Sequence, residues 1–556
     1  MIADNSQGSP PGRHAKKYIT FTKRLFLLDF GQRNTYGAIA PSSMGSDTNT
    51  SQFILIERHL IANYIGQGFA AFTALAIVPF YIYYLGIEAY GLIGVFSIAY
   101  SLLGVVDSML QTVITRKMAC LSVYSRESSA SPRAILLATE IMLLVLATAI
   151  ASSFWGLSSF LATHWIRAEK IPPYTVANAF SWMGFVISSR LFEALYRACL
   201  LGLQRHVVFN ALFVLITTAR WGGALAVVAF VSPTVTAFFA WQAFAGIFAS
   251  LLLRFTTRMY LPHQKTTTSL TFDALRQEAR FGSGIFAISF LALFLTQIDK
   301  VILSKMLTLS DFGYYTLAYS LAVGLAWIVF PIADTCYPRM SEALARNDLR
   351  SLSSVFHLGS QLVSVLVGSI AIAMMFFSEP ILLLWTHDRT ISAKAAPLLQ
   401  VLLLGQLLNS LYWIPYRVQL AHGWTNLAAS LNFLAVLAAV PSIVLVVPIF
   451  GAIGAATVWV FLNACYVCIG VHLMFRKIIQ RDRSAWYLSD TLKPLFFSTM
   501  CTLLIFIFYR ESTTPWKNIL WILSAWFGGF CAAAMSAACL SERIQSFFSA
   551  VFSHGK

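Results

Sequence analysis

The sequence predicts an all-α, polytopic membrane protein of about 14 transmembrane helices, arranged as two pseudo-symmetric six-helix bundles plus two C-terminal helices. Three observations predict it. Of 556 residues, 58% are hydrophobic and only 11% are charged, against roughly 25% charged in an ordinary soluble domain. The apolar residues fall in runs of about twenty, enough to cross ~30 Å of hydrocarbon while every backbone amide is paired inside its own helix. Parts of the chain also match themselves at a shift of 222 residues. Together these features exclude a soluble enzyme, a disordered chain and a secreted disulfide scaffold.

Taken in order, residues 1–58 are polar, with Ser9-Pro-Pro-Gly12 and the basic residues Arg13, Lys16, Lys17, Lys23 and Arg24. They lack the apolar core of a cleavable signal and read as a disordered cytoplasmic tail. Leu25 to Phe30 is a short segment able to touch the bilayer surface, and Met44 is an alternative start. Apolar runs at 60–85, 90–112, 134–157, 174–196, 207–230 and 233–253 make a first bundle, 59–256. A cytoplasmic linker, 257–281, follows. The second bundle, 282–475, has runs at 282–307, 312–337, 355–378, 393–416, 426–449 and 450–475. Residues 476–556 hold two extra runs, 494–509 and 518–541, and a tail.

Charge fixes the expected orientation. The formal net charge is +16, and the basic residues favour the tails and alternate loops by about four to one. Arg116, Lys117, Arg126 and Arg133 follow the second run, Arg254, Arg258, Lys265, Arg276 and Arg280 the sixth, and Arg476, Lys477, Arg481 and Arg483 the twelfth. Basic loops stay cytoplasmic, so both termini are expected there. The excess charge then serves topology and contact with anionic membrane lipids, not nucleic acid. Tyr81, Tyr83 and Tyr84, with Tyr314 and Tyr315, are expected in the outer aromatic belt. Eight cysteines, Cys465 and Cys468 among them, sit in or beside spans and are read as packing residues.

The shift of 222 lays Leu85 on Leu307, Tyr90-Gly91 on Phe312-Gly313, Leu103 on Leu325, Lys117 on Arg339 and Met118 on Met340. A shift of 220 lays Tyr196-Arg197 on Tyr416-Arg417. Six helices per unit give halves of equal orientation, related by an axis along the membrane normal, and such paired bundles hold substrate between them near the midplane.

Specific residues add a family resemblance. Asn63-Tyr-Ile-Gly66, Pro79, Tyr84-Leu-Gly-Ile-Glu-Ala-Tyr-Gly91, Asp107 and Arg116-Lys-Met-Ala119 resemble the opening of bacterial polysaccharide (O-antigen type) flippases of the multidrug/oligosaccharidyl-lipid/polysaccharide exporter superfamily. Gln297-Ile-Asp-Lys300, Phe312-Gly-Tyr-Tyr315, Pro331, Tyr337-Pro-Arg-Met340 and Leu383-Leu-Trp385 resemble that family's second half. The resemblance covers roughly residues 55–480. It implies a transporter, not an enzyme: a flippase in the inner membrane that carries a polyprenyl-pyrophosphate-linked oligosaccharide by ion-gradient-driven alternating access. Polysaccharide polymerase and glycosyltransferases are its expected protein partners. Alternatives are a multidrug exporter of the same superfamily, a membrane-embedded glycan polymerase or ligase, and a membrane scaffold.

Charges inside spans cost ~2.5 to 3.5 kcal/mol each on insertion scales and mark candidate sites. Arg220 lies about thirteen residues into its span, too deep to reach the interface. It either faces a cavity, where its planar fork suits a pyrophosphate, or pairs with an acid on a neighbouring span. Arg190, Glu193 and Arg197 share one helical face. Asp107 is read either as a partner of Arg190 or as carrier of a coupling proton. Asp299 and Lys300 stand about 100° apart and so are not expected to face the same neighbour squarely: Asp299 is the better candidate for a cavity acid, cation site or partner of Arg220, and Lys300 is able to snorkel outward. Substrate-binding candidates are therefore Arg220, Arg190 and Lys300, and cavity or coupling acids are Asp107, Asp299 and Glu193. Asp334, Arg339 and Glu140 are expected in interface pairs, and His357 and His472 at the interface. Pro79, Pro331, Pro415 and Pro441 are candidate bends. No nucleotide-cradling G-x-x-x-x-G-K-[ST] or metal-binding H-E-x-x-H occurs, so neither cofactor nor metal is expected.

Overall fold

The computed structural model describes residues 66–123, 132–261 and 296–538, all within one compact unit, Ile61–Lys556. The tail 1–58, the linker from 262 and the start of the 282–307 run lie outside the described residues. The helices are α1 Gly66–Leu85, α2 Ile87–Val123, α3 Pro132–Phe160, α4 Pro173–Gly202, α5 His206–Phe230 and α6 Val235–Tyr260. A helix at 296–306 is α7. Then come α8 Leu309–Ala345, α9 Leu349–Phe376, α10 Ser378–Thr386, α11 Arg389–Ala421, α12 Thr425–Lys477, α13 Arg483–Phe508 and α14 Pro515–Ser536.

Among the described residues, 11 helices are long and apolar enough to cross a membrane. The 30-residue α4 is equally long but carries Arg190, Glu193 and Arg197. The run of α12 merges two helices across Gly451, whose φ of 60° and ψ of −145° suit a residue without a Cβ. That break falls where the sequence divides 426–449 from 450–475. The thirteenth run starts earlier than expected, because a π-helical segment Trp486–Leu492 extends it towards Arg483. Pro79 opens the second segment of α1, whereas Pro331, Pro415 and Pro441 lie inside helices.

The halves meet where the sequence repeat predicts equivalent residues. The first part of α8, Leu309–Ala322, packs on α2. A Cβ on Gly91 would stand 2.2 Å from the Leu309 carbonyl oxygen, and one on Gly313 2.3 Å from the Ile87 carbonyl oxygen. The repeat-related glycines therefore face each other, each leaving room for the other's backbone, as close helix crossings in membranes require. At this end the Glu88 carboxylate accepts from the backbone N–H groups of Glu169 and Lys170, at 2.6 and 2.9 Å. The same loop reaches the second half: the Arg167 carbonyl accepts from Leu309 N–H at 2.9 Å, and Trp165 Nε1 donates to Ser304 Oγ at 3.1 Å.

The expected tyrosine belt needs correction. Tyr83 is 79% exposed, but Tyr81 is 1% exposed, and Tyr314 and Tyr315 are also buried. Positions 81 and 83 are two apart, so at ~100° per residue they point to nearly opposite faces of α1.

The C-terminal pair α13–α14 packs on α9. Trp486 is buried and donates Nε1 to Ser360 Oγ at 3.0 Å. His357, expected at the interface, lies between two carboxylates. Its Nδ1 pairs with Asp490, its Nε2 lies 3.3 Å from Asp482, and Gln361 Nε2 donates to the other Asp490 oxygen at 2.8 Å. Carboxylates thus lie against both ring nitrogens, and His357 ties α9 to the segment that opens the C-terminal pair. His357→Ala strands the buried Asp490 carboxylate and is expected to cost about 3 to 5 kcal/mol, seen as a lower thermal unfolding midpoint. The double variant with Asp490→Asn should recover most of that loss.

Candidate functional site

Charged residues converge on a cavity of about 410 Å³ inside the first half. Its walls come from α1, α2, α4, α5 and α6, and its polar lining includes Asp107, Arg190, Glu193, Arg197, Arg220 and Gln242. Every described lining residue falls between Ala70 and Leu253. The sequence expectation was a chamber shared by both halves; among the described residues, the charges line the first alone.

α4 supplies the ladder. Glu193 is buried, and its two carboxylate oxygens are both engaged, Oε1 by Arg220 and Oε2 by Arg190 at 2.5 Å. The Arg190 guanidinium also lies over the Tyr100 ring, 4.8 Å from its centroid. One turn on, Arg197 pairs with Asp107 of α2. Arg190, Arg197 and Arg220 against Asp107 and Glu193, three charges against two, leave the cavity at +1.

Arg220 is held by a local departure from α-helix. Thr218–Gly222 of α5 is a π-helical turn, and the Gly223 N–H bonds to the Ala219 and Arg220 carbonyls. Two aromatic donors from other helices add to this: Trp241 Nε1 donates to the Ala219 carbonyl at 3.0 Å, and Tyr81 Oη donates to the Trp221 carbonyl at 2.7 Å. The wide turn carries Arg220, 5% exposed, towards α4 and α6. On α6, Gly246 makes space for it: a Cβ there would lie 2.2 Å from Ser189 Oγ and 3.3 Å from Arg220 Nη2.

Of the residues singled out in the sequence, Arg220, Arg190, Glu193 and Asp107 are brought together, and Arg220 both lines the cavity and pairs with an acid on a neighbouring helix. Asp107 pairs with Arg197 rather than Arg190. Asp299 and Lys300 stand apart from this cavity. Lys300 Nζ donates to the Thr296 carbonyl at 3.0 Å and lies 4.2 Å from the Tyr319 ring centroid, while Asp299 accepts from Tyr315 Oη at 3.3 Å. Contrary to the expectation that they face different neighbours, both face α8, because Tyr315 and Tyr319 are one turn apart and each reaches one of them. Glu140 pairs with Arg254 at 2.8 Å and accepts from Tyr196 Oη at 2.8 Å. Asp334 pairs with Arg417, so each half joins an acid of its second helix to the arginine of a repeat-related Tyr-Arg pair.

Sequence reasoning missed Gln242, which is 2% exposed and lines the cavity. The available signal was a carboxamide isolated among apolar residues in the middle of a span.

The fold is similar to that of the lipid II flippase MurJ in an inward closed conformation, with a TM-score of 0.62 and 11% identity, over 86% of this chain and 98% of that one. It is also similar to an inward-facing multidrug resistance MATE family transporter of the MOP superfamily, with a TM-score of 0.59 and 13% identity, over 75% of this chain and 96% of that one. A MOP superfamily transporter from Pyrococcus furiosus matches with a TM-score of 0.50 and 15% identity, over 78% and 96% of the two chains. No curated protein matches the sequence. At these identities the solved structures speak for the fold. The model of the polysaccharide biosynthesis protein family matches residues 85–388. That match covers more than half of the chain, the cavity walls from α2 to α6 and the crossing of the halves, and the chain therefore belongs to the polysaccharide biosynthesis protein family, with the fold of MOP superfamily transporters.

Proposed function

We propose that the chain is a flippase that moves a polyprenyl-pyrophosphate-linked oligosaccharide across a bacterial inner membrane for cell-surface polysaccharide synthesis. The observation that carries this reading is the buried, net-positive cavity of Arg190, Arg197 and Arg220 in a membrane protein of this family. Guanidinium groups bind phosphate oxygens through paired donors, and a desolvated site strengthens that attraction. In this reading Arg220 and Arg190 hold the pyrophosphate, and Glu193 and Asp107 neutralise them when the cavity is empty and are the acids available to a coupling ion. Lys300 and Asp299 serve the α7–α8 joint instead.

The bundles 59–256 and 282–475, joined by 257–281, would be the halves that exchange access, driven by an ion gradient. The bias of basic loops supports cytoplasmic termini. Polymerase and glycosyltransferases that make and consume the same glycan are the expected neighbours, and membrane lipids the surrounding solvent. The likeness to multidrug transporters fits the exporter reading in fold but no better, and a +1 cavity favours an anionic cargo. Deleting the gene should cause lipid-linked oligosaccharide to accumulate on the inner leaflet, measured by leaflet-specific labelling of its sugar. Unchanged leaflet distribution, with lost drug resistance, would replace the flippase by the exporter.

A further inference from the structure

Among the described residues, three polar atoms of the cavity are buried without a hydrogen-bond partner: Arg220 Nε, Gln242 Nε2 and Asp107 Oδ1. Two are donors and one is an acceptor, and they belong to different levels of the cavity. Gln242 and Gly246 are one turn apart on α6, and the open face of Gly246 lies against the Arg220 guanidinium. Gln242 therefore lies one turn of α6 from the glycine that faces that group, and Gln242 and Arg220 line the same cavity. Asp107 lies at the level of Arg197, four residues beyond Glu193 on α4, or ~6 Å further along the helix.

The levels differ chemically. Around Arg220 and Gln242 two charged or amide donors stand open beside the single Gln242 carboxamide oxygen, while both oxygens of the nearby Glu193 are already taken. Around Asp107 one carboxylate oxygen is open. A phosphate oxygen only accepts, whereas a sugar hydroxyl both donates and accepts. Unmet buried donors cost free energy, so they select the ligand that meets them.

Resting on the flippase reading, we infer that Arg220 Nε and Gln242 Nε2 form a phosphate subsite for the lipid-linked diphosphate, with Gln242 the residue that admits phosphate rather than sugar. Asp107 Oδ1 then accepts from a hydroxyl of the attached sugar. Gln242 acts by donating a neutral hydrogen bond, which adds direction to the guanidinium charge without adding a second charge to be neutralised when the cavity is empty.

The test is isothermal titration of the purified full chain in detergent with farnesyl pyrophosphate, and with inorganic pyrophosphate in parallel. Gln242→Leu, of similar volume, should weaken farnesyl pyrophosphate binding about ten-fold, the value of one hydrogen bond to a charged group. Gln242→Glu, which replaces the donor by a repelling carboxylate, should abolish measurable binding. Inorganic pyrophosphate should bind the wild-type chain more weakly than the prenyl form yet lose affinity in the same two variants. Wild-type affinity in both variants overturns the subsite while leaving the flippase reading standing. Equal wild-type affinity for the two ligands would assign the subsite to a free anion and overturn the headgroup assignment. If the wild-type chain binds neither ligand, or Arg220→Gln binds as the wild type does, the flippase reading itself fails.

Discussion

Arg220→Gln is expected to lower translocation of the lipid-linked oligosaccharide by roughly two orders of magnitude, a loss of ~3 kcal/mol within the range for truncating a buried, hydrogen-bonded charge. The chain should still insert, because α5 remains an apolar helix without the guanidinium. A purely structural role for the Arg220–Glu193 pair makes a different prediction. Removing one partner of a buried pair destabilises, whereas replacing both by neutral groups is often tolerated. The double variant Arg220→Gln with Glu193→Gln should therefore recover thermal stability and remain inactive in transport, while Arg190 keeps its contact with Tyr100. Recovery of transport together with stability would assign the pair to architecture alone. The assays are leaflet-specific labelling of the sugar and the unfolding midpoint of the purified chain.

Gly91→Ala is expected to displace the crossing of the two halves. The added methyl would stand 2.2 Å from the Leu309 carbonyl oxygen, a backbone atom that cannot swing aside as a flexible side chain can. Overpacking of this kind costs typically ~1 to 3 kcal/mol, enough to shift a two-state equilibrium roughly 5- to 150-fold. Gly313→Ala meets the Ile87 carbonyl oxygen at 2.3 Å and should act alike. A cysteine introduced by Thr316→Cys, beside Gly94, reports on the joint: its alkylation by a membrane-impermeant maleimide should accelerate in both glycine variants. Unchanged protection would mean that the crossing survives the extra methyl.

Much of this arrangement was legible in the sequence, for reasons that also explain what was not. Helical spacing placed Arg190, Glu193 and Arg197 on one face, and depth in the span marked Arg220, because both depend only on geometry within a helix. Spacing does not say which helix lies opposite. Hence Asp107 was matched to Arg190 although it meets Arg197, and Asp299 was set before the cavity although Tyr315 holds it. Gly91 and Gly313 were recognised as equivalent, yet their mutual contact follows only when both halves are folded. The π-helical turn at Thr218–Gly222 had no local signal: it is stabilised by Trp241 and Tyr81, from two other helices. Gln242 was overlooked for a related reason, since an amide becomes informative once its lack of a partner is seen.

The central claim is that the first-half cavity receives the diphosphate of a lipid-linked sugar. Electron cryomicroscopy of the full chain bound to a polyprenyl-pyrophosphate-linked sugar tests it most directly. Diphosphate density is expected within hydrogen-bonding distance of Arg220 and Arg190, with Glu193 displaced from at least one of them. Diphosphate density outside the first half, with the Arg220–Glu193–Arg190 contacts intact, would contradict it.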